Sequence, residues 1–209
     1  MVAKVANFAD HNPAIADMER ILKAQKASYN QHRMPSAEER ISLIKRLKPA
    51  LIRHQDALVD AVNKDFGNRS ATETRFVEIA SLVETIKYNT KNLTKWMRPE
   101  RRSLPVNLRP AKAKVVYQPL GVVGIIVPWN YPYFLALDPM IAAMAAGNRV
   151  MIKMSEFTPN AAEAMKAKIR AEVGQEKTTF VDATAIATAL LGDAIAANLF
   201  LLGFAFQRG

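Results

Sequence analysis

The feature that most constrains the fold is the stretch of residues 121–156, which reads as a strand, a turn, a helix and a second strand. Residues 121–127 (GVVGIIV) form a short apolar run rich in Val and Ile. Such a run is typical of a strand that is buried on both faces of a parallel sheet. Pro128 and Pro132 enclose the next three residues, so we expect a rigid turn at the carboxyl end of this strand.

The elements that follow the turn predict a parallel sheet. Pro132 suits the first turn of a helix, apolar residues recur after it at helical spacing, and Gly147 is a suitable stop. Residues 149–153 predict a second strand, residues 161–171 a second crossover helix and residues 178–181 a third strand. Short connections between such elements favour right-handed crossovers. We therefore predict an α/β fold in which a helical amino-terminal region precedes a parallel sheet of βαβαβ order.

The first 98 residues carry the signals of three helices. The weakest of these signals covers residues 14–29. Ser36 and Glu39 form a capping box at the start of the second helix. Pro49 is expected to kink or split that helix, and Gly67 to end it.

Apolar residues at helical spacing predict which helix faces are buried. The stripe of the second helix comprises Ile44, Leu47, Leu51, Leu58 and Val62. The stripe of the third helix, which Ser70 is expected to cap, comprises Phe76, Ile79, Val83, Ile86 and Trp96. Arg40 is one of the charged residues that we expect to point away from the first stripe.

A basic, proline-interrupted stretch separates the helices from the sheet. The formal net charge is +10, and Arg and Lys residues are densest between residues 98 and 114. No aromatic interleaving or helix-turn-helix spacing accompanies them, so we expect a solvated surface and no nucleic-acid partner. Residues 113–117 alternate in polarity, which predicts a strand. The predicted regions are residues 1–98 (helical), 99–118 (basic connector and edge strand) and 119–209 (α/β).

Composition excludes several classes of protein. The 209 residues contain no cysteine, which excludes a disulfide framework and a cysteine-based metal site. The three histidines are scattered without a carboxylate at metal-ligand spacing, and we interpret all of them as surface residues.

The first residues lack the pattern of a signal or transit peptide, so we expect a cytoplasmic protein. Residues 184–202 are apolar but contain Asp193, which predicts a buried segment and no membrane contact.

Polar side chains follow both predicted strands of residues 121–156. Asn130 lies just beyond the first strand, and Lys153 and Glu156 lie at and beyond the end of the second. Ligands in open α/β sheets bind beyond the carboxyl ends of the strands, so we expect these groups to share a crevice. Asn130 is the kind of neutral donor that stabilises an oxyanion, and a Lys–Glu pair suits a ribose. The other interpretation is that Asn130 only caps a turn and that Lys153 and Glu156 pair with each other on the surface.

Three segments resemble the aldehyde dehydrogenase superfamily, in particular its class 3-like branch that includes coniferyl aldehyde dehydrogenases. They are PLGVVGIIVPWNYP, AAGNRVMIKMSEFTP and the upstream KDFGNRS. The resemblance implies an incomplete Rossmann-like sheet and a partial NAD(P)-binding region over residues 119–209. It implies NAD as the cofactor, with NADP as the other candidate, a small aldehyde as the substrate, and a homo-oligomer for the full-length form. The family usually has Pro where this chain has Met154.

The same resemblance assigns roles to individual residues. Asn130 matches the oxyanion donor of the family. The residues that match its cofactor site are Val127, Pro128, Trp129, Lys153, Ser155 and Glu156. Because Gly121 and Gly124 precede the turn, the usual Gly-rich phosphate loop is absent at this position. The match to the family pattern weakens after residue 174.

The chemistry of the family requires a cysteine thiolate as nucleophile and a glutamate as general base, and this chain has no cysteine. We therefore expect the chain to represent the amino-terminal part of such an enzyme and to have no dehydrogenase activity alone. The alternative from a different class is a non-catalytic remnant that acts as a binding or subunit-interaction module.

Overall fold

The computed structural model describes residues 13–174 and residue 180. Its helices are α1 (Pro13–Gln31), α2 (Ala37–Lys45), α3 (Leu47–Phe66), α4 (Ala71–Glu73), a π-helical segment (Thr74–Ala80), α5 (Ser81–Trp96), a short 3-10 turn (Val106–Leu108), α6 (Pro132–Ala145) and α7 (Pro159–Val173). Its strands are β1 (Glu100–Arg102), β2 (Ala113–Val115), β3 (Val122–Ile126) and β4 (Arg149–Lys153). The order of elements is that of an α/β protein with a helical amino-terminal region. The predicted third parallel strand, residues 178–181, lies outside the described residues except for Phe180, which is not in a strand.

The amino-terminal helices begin and end where local sequence signals predict. Ser36 accepts a hydrogen bond from the backbone N–H of Glu39, and the Glu39 carboxylate accepts from the Ser36 N–H, which confirms the capping box. Helices α2 and α3 meet at Arg46. This break leaves Pro49 in the first turn of α3, where a missing N–H costs no helical hydrogen bond. Gly67 ends α3 at φ +75°, a left-handed conformation that glycine adopts without steric cost.

The first apolar stripe is confirmed, but the prediction for Arg40 was wrong. Ile44, Leu51, Leu58 and Val62 are buried. Arg40 is also buried, at 4% exposure, and donates hydrogen bonds to the carbonyls of Pro35 at 2.9 Å and Ala145 at 3.0 Å. Ala145 is the last residue of α6, so the guanidinium satisfies an orphan carbonyl at the negative end of that helix.

The second apolar stripe is confirmed only in part. Ile79 and Ile86 are buried, whereas Phe76 is 74% exposed and Trp96 41% exposed. Residues 74–80 form a π-helical segment. Phe76 faces solvent, whereas Glu78, which has no exposed surface, lies in the interior.

The basic connector contains more structure than the sequence predicts. Strand β1 pairs antiparallel with β2, with Arg101 opposite Lys114. The predicted edge strand is confirmed but is shorter than residues 113–117, and Tyr117 is 64% exposed. All three residues of β1 are charged and exposed, and for this reason the alternation that signals a half-buried strand is absent from their sequence.

Strands β3 and β4 form the parallel pair that the sequence predicts, and α6 connects them. Ile125 and Val127 are buried, while Gly124 and Ile126 are exposed. The prediction that this strand is buried on both faces was therefore wrong for the described residues. Successive side chains of a strand point to opposite faces, and only the face of Ile125 joins the core.

Helices from both halves of the sequence contribute to one apolar core. The buried cluster includes Ile44 and Leu82 together with Tyr133, Ile141 and Met165. Its continuity joins the amino-terminal helices to the parallel pair and to α6 and α7.

Helix α3 also packs beside α7. Arg53 and His54 of α3 both contact the carboxylate of Glu172 on α7. The prediction that every histidine is at the surface was wrong for His54, whose side chain is only 17% exposed. Among the described residues, no helix has the length and apolar character needed to cross a lipid bilayer.

Candidate functional site

The carboxyl ends of β3 and β4 lie side by side, as the sequence predicts. Ile126 is opposite Lys153 in the parallel register, and the Val127 N–H donates to the Lys153 carbonyl at 3.0 Å. Val127 is buried, at 2% exposure, and its N–H is used by this bond. Both strands therefore deliver the chain to the same edge of the sheet, which is where open α/β sheets bind ligands.

The turn after β3 is exposed, and a residue of the amino-terminal helical region is hydrogen-bonded to it. We call residues 128–131 the Asn130 turn. Pro128 and Asn130 are exposed, and Trp129 is 53% exposed, with its ring centre 5.9 Å from that of Phe66. The backbone carbonyl of Asn130 accepts a hydrogen bond from Arg69. Among the described residues, none is hydrogen-bonded to the Asn130 side-chain amide, which leaves that amide available to a ligand.

Lys153 and Glu156 form an ion pair. Their side chains are 9% and 17% exposed, so the pair lies below the surface and not on it. Partial burial acts to raise the pKa of Glu156, but the hydrogen bond and the charge of Lys153 outweigh it and hold the pKa below its ordinary value. Glu156 is therefore a carboxylate at neutral pH. It can accept hydrogen bonds from hydroxyl groups while Lys153 donates.

Ser155 organises the loop between β4 and α7. It is 6% exposed, its hydroxyl oxygen accepts from the Phe157 N–H at 3.3 Å, and its carbonyl accepts from the Thr158 N–H at 3.3 Å. These bonds shape the loop that carries Glu156.

A buried carboxylate beneath the Asn130 turn escaped the sequence analysis. Glu78 accepts hydrogen bonds from the backbone N–H groups of Tyr133 at 2.7 Å and Phe134 at 3.1 Å. These N–H groups belong to the first turn of α6, where the helix itself offers no acceptor. Glu78 thus acts as an N-terminal cap from a distant part of the chain. The one signal in the sequence was that Glu78 places a charged residue among the apolar residues that predict the third helix.

Burial dominates the electrostatics of Glu78. Desolvation raises its pKa above the ordinary value, against the hydrogen bonds from Phe134 and Tyr133 and the charge of Arg69. Desolvation, with the nearby charge of Glu78, also raises the pKa of the Tyr133 phenol. Both groups therefore favour their neutral forms more than they do in water.

The described residues contain no cluster of three or more His, Asp or Glu side chains that could hold a metal ion. Two of the histidines have carboxylate neighbours. His32 lies 3.2 Å from Glu39, and His54 lies 3.0 Å from Glu172. His11 lies outside the described residues. The polar side chains that follow β3 and β4 at this edge include the amide of Asn130, the ammonium of Lys153 and the carboxylate of Glu156.

The chain is similar in sequence and in fold to known proteins. The sequence model of the aldehyde dehydrogenase family matches residues 3–197. A probable coniferyl aldehyde dehydrogenase of Pseudomonas aeruginosa is 46% identical over 166 residues, which are 79% of this chain and 35% of that protein. The coniferyl aldehyde dehydrogenase of Pseudomonas sp. strain HR199 is 38% identical over 179 residues, 86% of this chain and 35% of that protein.

Solved structures share the fold. AldH of Staphylococcus aureus, solved in a substrate-bound state, has a TM-score of 0.69 at 32% identity, and the match covers 74% of this chain and 33% of that chain. PnpE, solved in complex with nicotinamide adenine dinucleotide, has a TM-score of 0.64 at 25% identity, with 76% and 31% covered. The chain spans about a third of the length of the curated relatives named above. By the extent of the family match, this chain belongs to the aldehyde dehydrogenase family.

Proposed function

We propose that this chain supplies the adenosine-binding part of the cofactor site and the oxyanion donor of an NAD(P)-dependent aldehyde dehydrogenase. The observation that supports this proposal is the parallel pairing of β3 and β4, with Val127 bonded to Lys153 at their carboxyl ends. Asn130 follows the first strand and Glu156 the second. The expected overall reaction is the oxidation of an aldehyde to a carboxylic acid.

The donor set at this edge fits a ribose. Glu156 offers carboxylate oxygens to hydroxyl groups, and Lys153 offers ammonium hydrogens. Lys153 and Glu156 would hold the ribose, and Pro128, Trp129 and the backbone of Val127 would line the cofactor site. Ser155 completes the predicted cofactor contacts. The bound cofactor supplies the hydride acceptor for the oxidation.

The charge of Glu156 predicts a preference between the two cofactors. Its carboxylate is ionised at neutral pH, because Lys153 holds its pKa below the ordinary value. A 2′-phosphate on the ribose would bring a second anionic group to this carboxylate, and like charges repel. We therefore propose NAD as the favoured cofactor.

The side-chain amide of Asn130 is proposed to donate a hydrogen bond to the oxygen of the reacting aldehyde. Neutral donors that are fixed in place before the reaction lower the energy of a developing oxyanion. The names of two similar proteins specify coniferyl aldehyde, so we propose an aromatic aldehyde of that type. None of the 209 residues is cysteine, and we therefore expect this polypeptide to bind the cofactor without turning over an aldehyde.

Cofactor titration tests the proposal. Isothermal titration of the chain with NAD and with NADP should show tighter binding of NAD. Glu156→Gln should reduce that preference, because the substitution removes the repulsive charge. The matched control is Glu163→Gln on α7, a 68% exposed glutamate paired with Lys166, which should leave the preference unchanged. Equal affinities for both cofactors, unaffected by Glu156→Gln, would contradict the proposed role. Turnover of coniferyl aldehyde above a boiled control would contradict the expected inactivity.

A second candidate is a non-catalytic binding or subunit-interaction module that pairs with another subunit. Besides the lack of cysteine, it is favoured by the exposed apolar side chains around the β1–β2 pair. Val106 is 77%, Leu108 51% and Tyr117 64% exposed. This candidate would replace the first if the chain bound neither NAD nor NADP and formed stable oligomers.

A further inference from the structure

We propose that Arg69 and Glu78 are positioning residues that fix the orientation of Asn130. The inference rests on the proposed function, since it concerns the residue assigned there as the oxyanion donor. Both residues lie in the helical amino-terminal region, far from Asn130 in sequence, and neither belongs to the residues assigned to the cofactor.

Arg69 contacts the Asn130 turn directly. Its Nη1 donates to the backbone carbonyl of Asn130. The guanidinium carbon lies 4.4 Å from the ring centre of Tyr131 and 4.9 Å from that of Phe66, distances at which a cation is attracted to an aromatic face. The side chain is only 7% exposed. A planar guanidinium that is stacked on two rings and bonded to a carbonyl leaves the turn few alternative conformations.

Glu78 fixes the other end of the same turn. Its Oε2 accepts from the N–H groups of Tyr133 and Phe134, immediately after Pro132, which has no N–H to donate. Its Oε1 lies 4.0 Å from Nη2 of Arg69, which is beyond hydrogen-bond range but close enough for charge attraction. The turn is therefore held at its carbonyl side by a cation and at its helix side by an anion, and these two groups attract each other.

The free-energy cost of burying Glu78 and Arg69 together argues that this pair has a role beyond stability. Glu78 has no exposed surface, and neither its Oε1 nor Nε of Arg69 has a hydrogen-bond partner among the described residues. Buried ion pairs of this kind are poor stabilisers, because desolvation offsets their attraction. What the pair does fix is the orientation of the backbone at Asn130, whose side chain is exposed.

Trp129 provides a reporter beside Asn130. The chain has two tryptophans, and Trp96→Phe leaves Trp129 as the single tryptophan, which excitation beyond the tyrosine absorption band observes alone. In this background we would measure the time-resolved fluorescence anisotropy of Trp129 under conditions in which each variant remains folded by circular dichroism. Arg69→Met should at least double the amplitude of the fast, local depolarisation. Arg69→Lys should restore order only in part, because an ammonium cannot reproduce the stacked planar donor.

Two controls separate positioning from general stability. Arg75→Met removes an arginine of the neighbouring π-helical segment that is 48% exposed and paired with Asp56, and it should leave the anisotropy of Trp129 unchanged. Leu93→Ala lowers global stability by removing a buried side chain of α5, and it should also leave the anisotropy unchanged.

The inference is overturned if Arg69→Met leaves Trp129 as ordered as in the parent, or if Leu93→Ala loosens it equally. If Arg69→Met does not fold, the Arg69→Lys comparison decides in the same way. Failure of the proposed function would appear elsewhere, as absence of NAD binding by the parent chain. The two outcomes are therefore distinguishable.

Discussion

Helix α7 should lose stability when Asp65 of α3 is replaced by alanine. The Asp65 carboxylate accepts from the backbone N–H groups of Asn160 at 2.9 Å and Ala161 at 2.8 Å, and from the Asn160 side-chain amide at 2.8 Å. Thr158, at the N-cap position of α7, makes no side-chain cap of its own. Asp65 is therefore the acceptor for two of the orphan N–H groups at the start of this helix.

The expected magnitude follows from these contacts. Loss of an N-terminal cap costs about 0.5–2 kcal/mol, and loss of an anion near the positive end of a helix costs about 0.3–1 kcal/mol. Because Asp65 is half-buried, we expect about 1–3 kcal/mol for Asp65→Ala. In a protein of this size 1 kcal/mol corresponds to a melting-temperature shift of about 2–4 °C. Asp65→Asn keeps only one of the two acceptor oxygens, so it should lose the charge contribution and the hydrogen bonding of the other oxygen, and its stability should lie between those of the parent and Asp65→Ala.

Urea unfolding measures the global effect, and amide hydrogen exchange locates it. The matched control is Asp60→Ala, an exposed aspartate on the same helix, for which we expect a change of about 0.5 kcal/mol or less. Exchange should accelerate at the amides of Asn160 and Ala161, which lose their acceptor directly, by more than at Ile44 in α2, where exchange follows global unfolding. The reasoning is refuted if Asp65→Ala and Asp60→Ala have the same free energy of unfolding, or if exchange at Ala161 does not change.

Two further predictions concern Glu78 and Gly147. Because burial raises the folded-state pKa of Glu78, its contribution to stability is complete at low pH and is lost as pH rises through that pKa. The stability of the parent relative to Glu78→Gln, measured by urea unfolding, should therefore fall as pH rises from about 4, and a constant or rising difference would contradict this. Gly147 has φ +90°, and a Cβ there would lie 2.8 Å from Cζ of Arg40, whereas Gly67 at φ +75° has nothing within 4 Å of such an atom. Both Gly→Ala variants should lose about 1–2 kcal/mol of unfolding free energy, because alanine is strained in the left-handed backbone conformation. Gly147→Ala should lose a further ~1–3 kcal/mol from overpacking, so equal thermal stabilities would show that Arg40 moves aside without cost.

Local sequence signals predicted the parts of the fold that local interactions determine. The capping box of Ser36 and Glu39 uses groups three residues apart, and Pro132 begins α6 as expected. The two parallel strands also followed from the sequence, because short apolar runs joined by one helix leave little choice of topology. The positions of Asn130, Lys153 and Glu156 at or just beyond the strand ends followed for the same reason, and their roles stay predictions.

The sequence could not show which groups hold these strand ends. Arg69 bonds to a carbonyl 61 residues away, and Glu78 caps a helix 55 residues away. No periodicity links such pairs, and an isolated charged residue in a helix is most often on the solvated face. Arg40 was assigned to the wrong face by this reasoning, since its two carbonyl partners are visible only in the folded chain.

The two crossover helices, α6 and α7, are both capped at their N-termini by residues of the amino-terminal helical region, and these caps explain how the candidate site is assembled. Neither the N-cap residue of α6, Tyr131, nor that of α7, Thr158, makes a side-chain cap. Glu78 and Asp65 of the helical region supply the missing acceptors. Because the starts of α6 and α7 follow the carboxyl ends of β3 and β4, these caps also fix the loops that carry the candidate site. The geometry of the candidate site at this edge of the sheet is thus set by the amino-terminal helices, and substitutions there should alter the site without touching any residue that lines it.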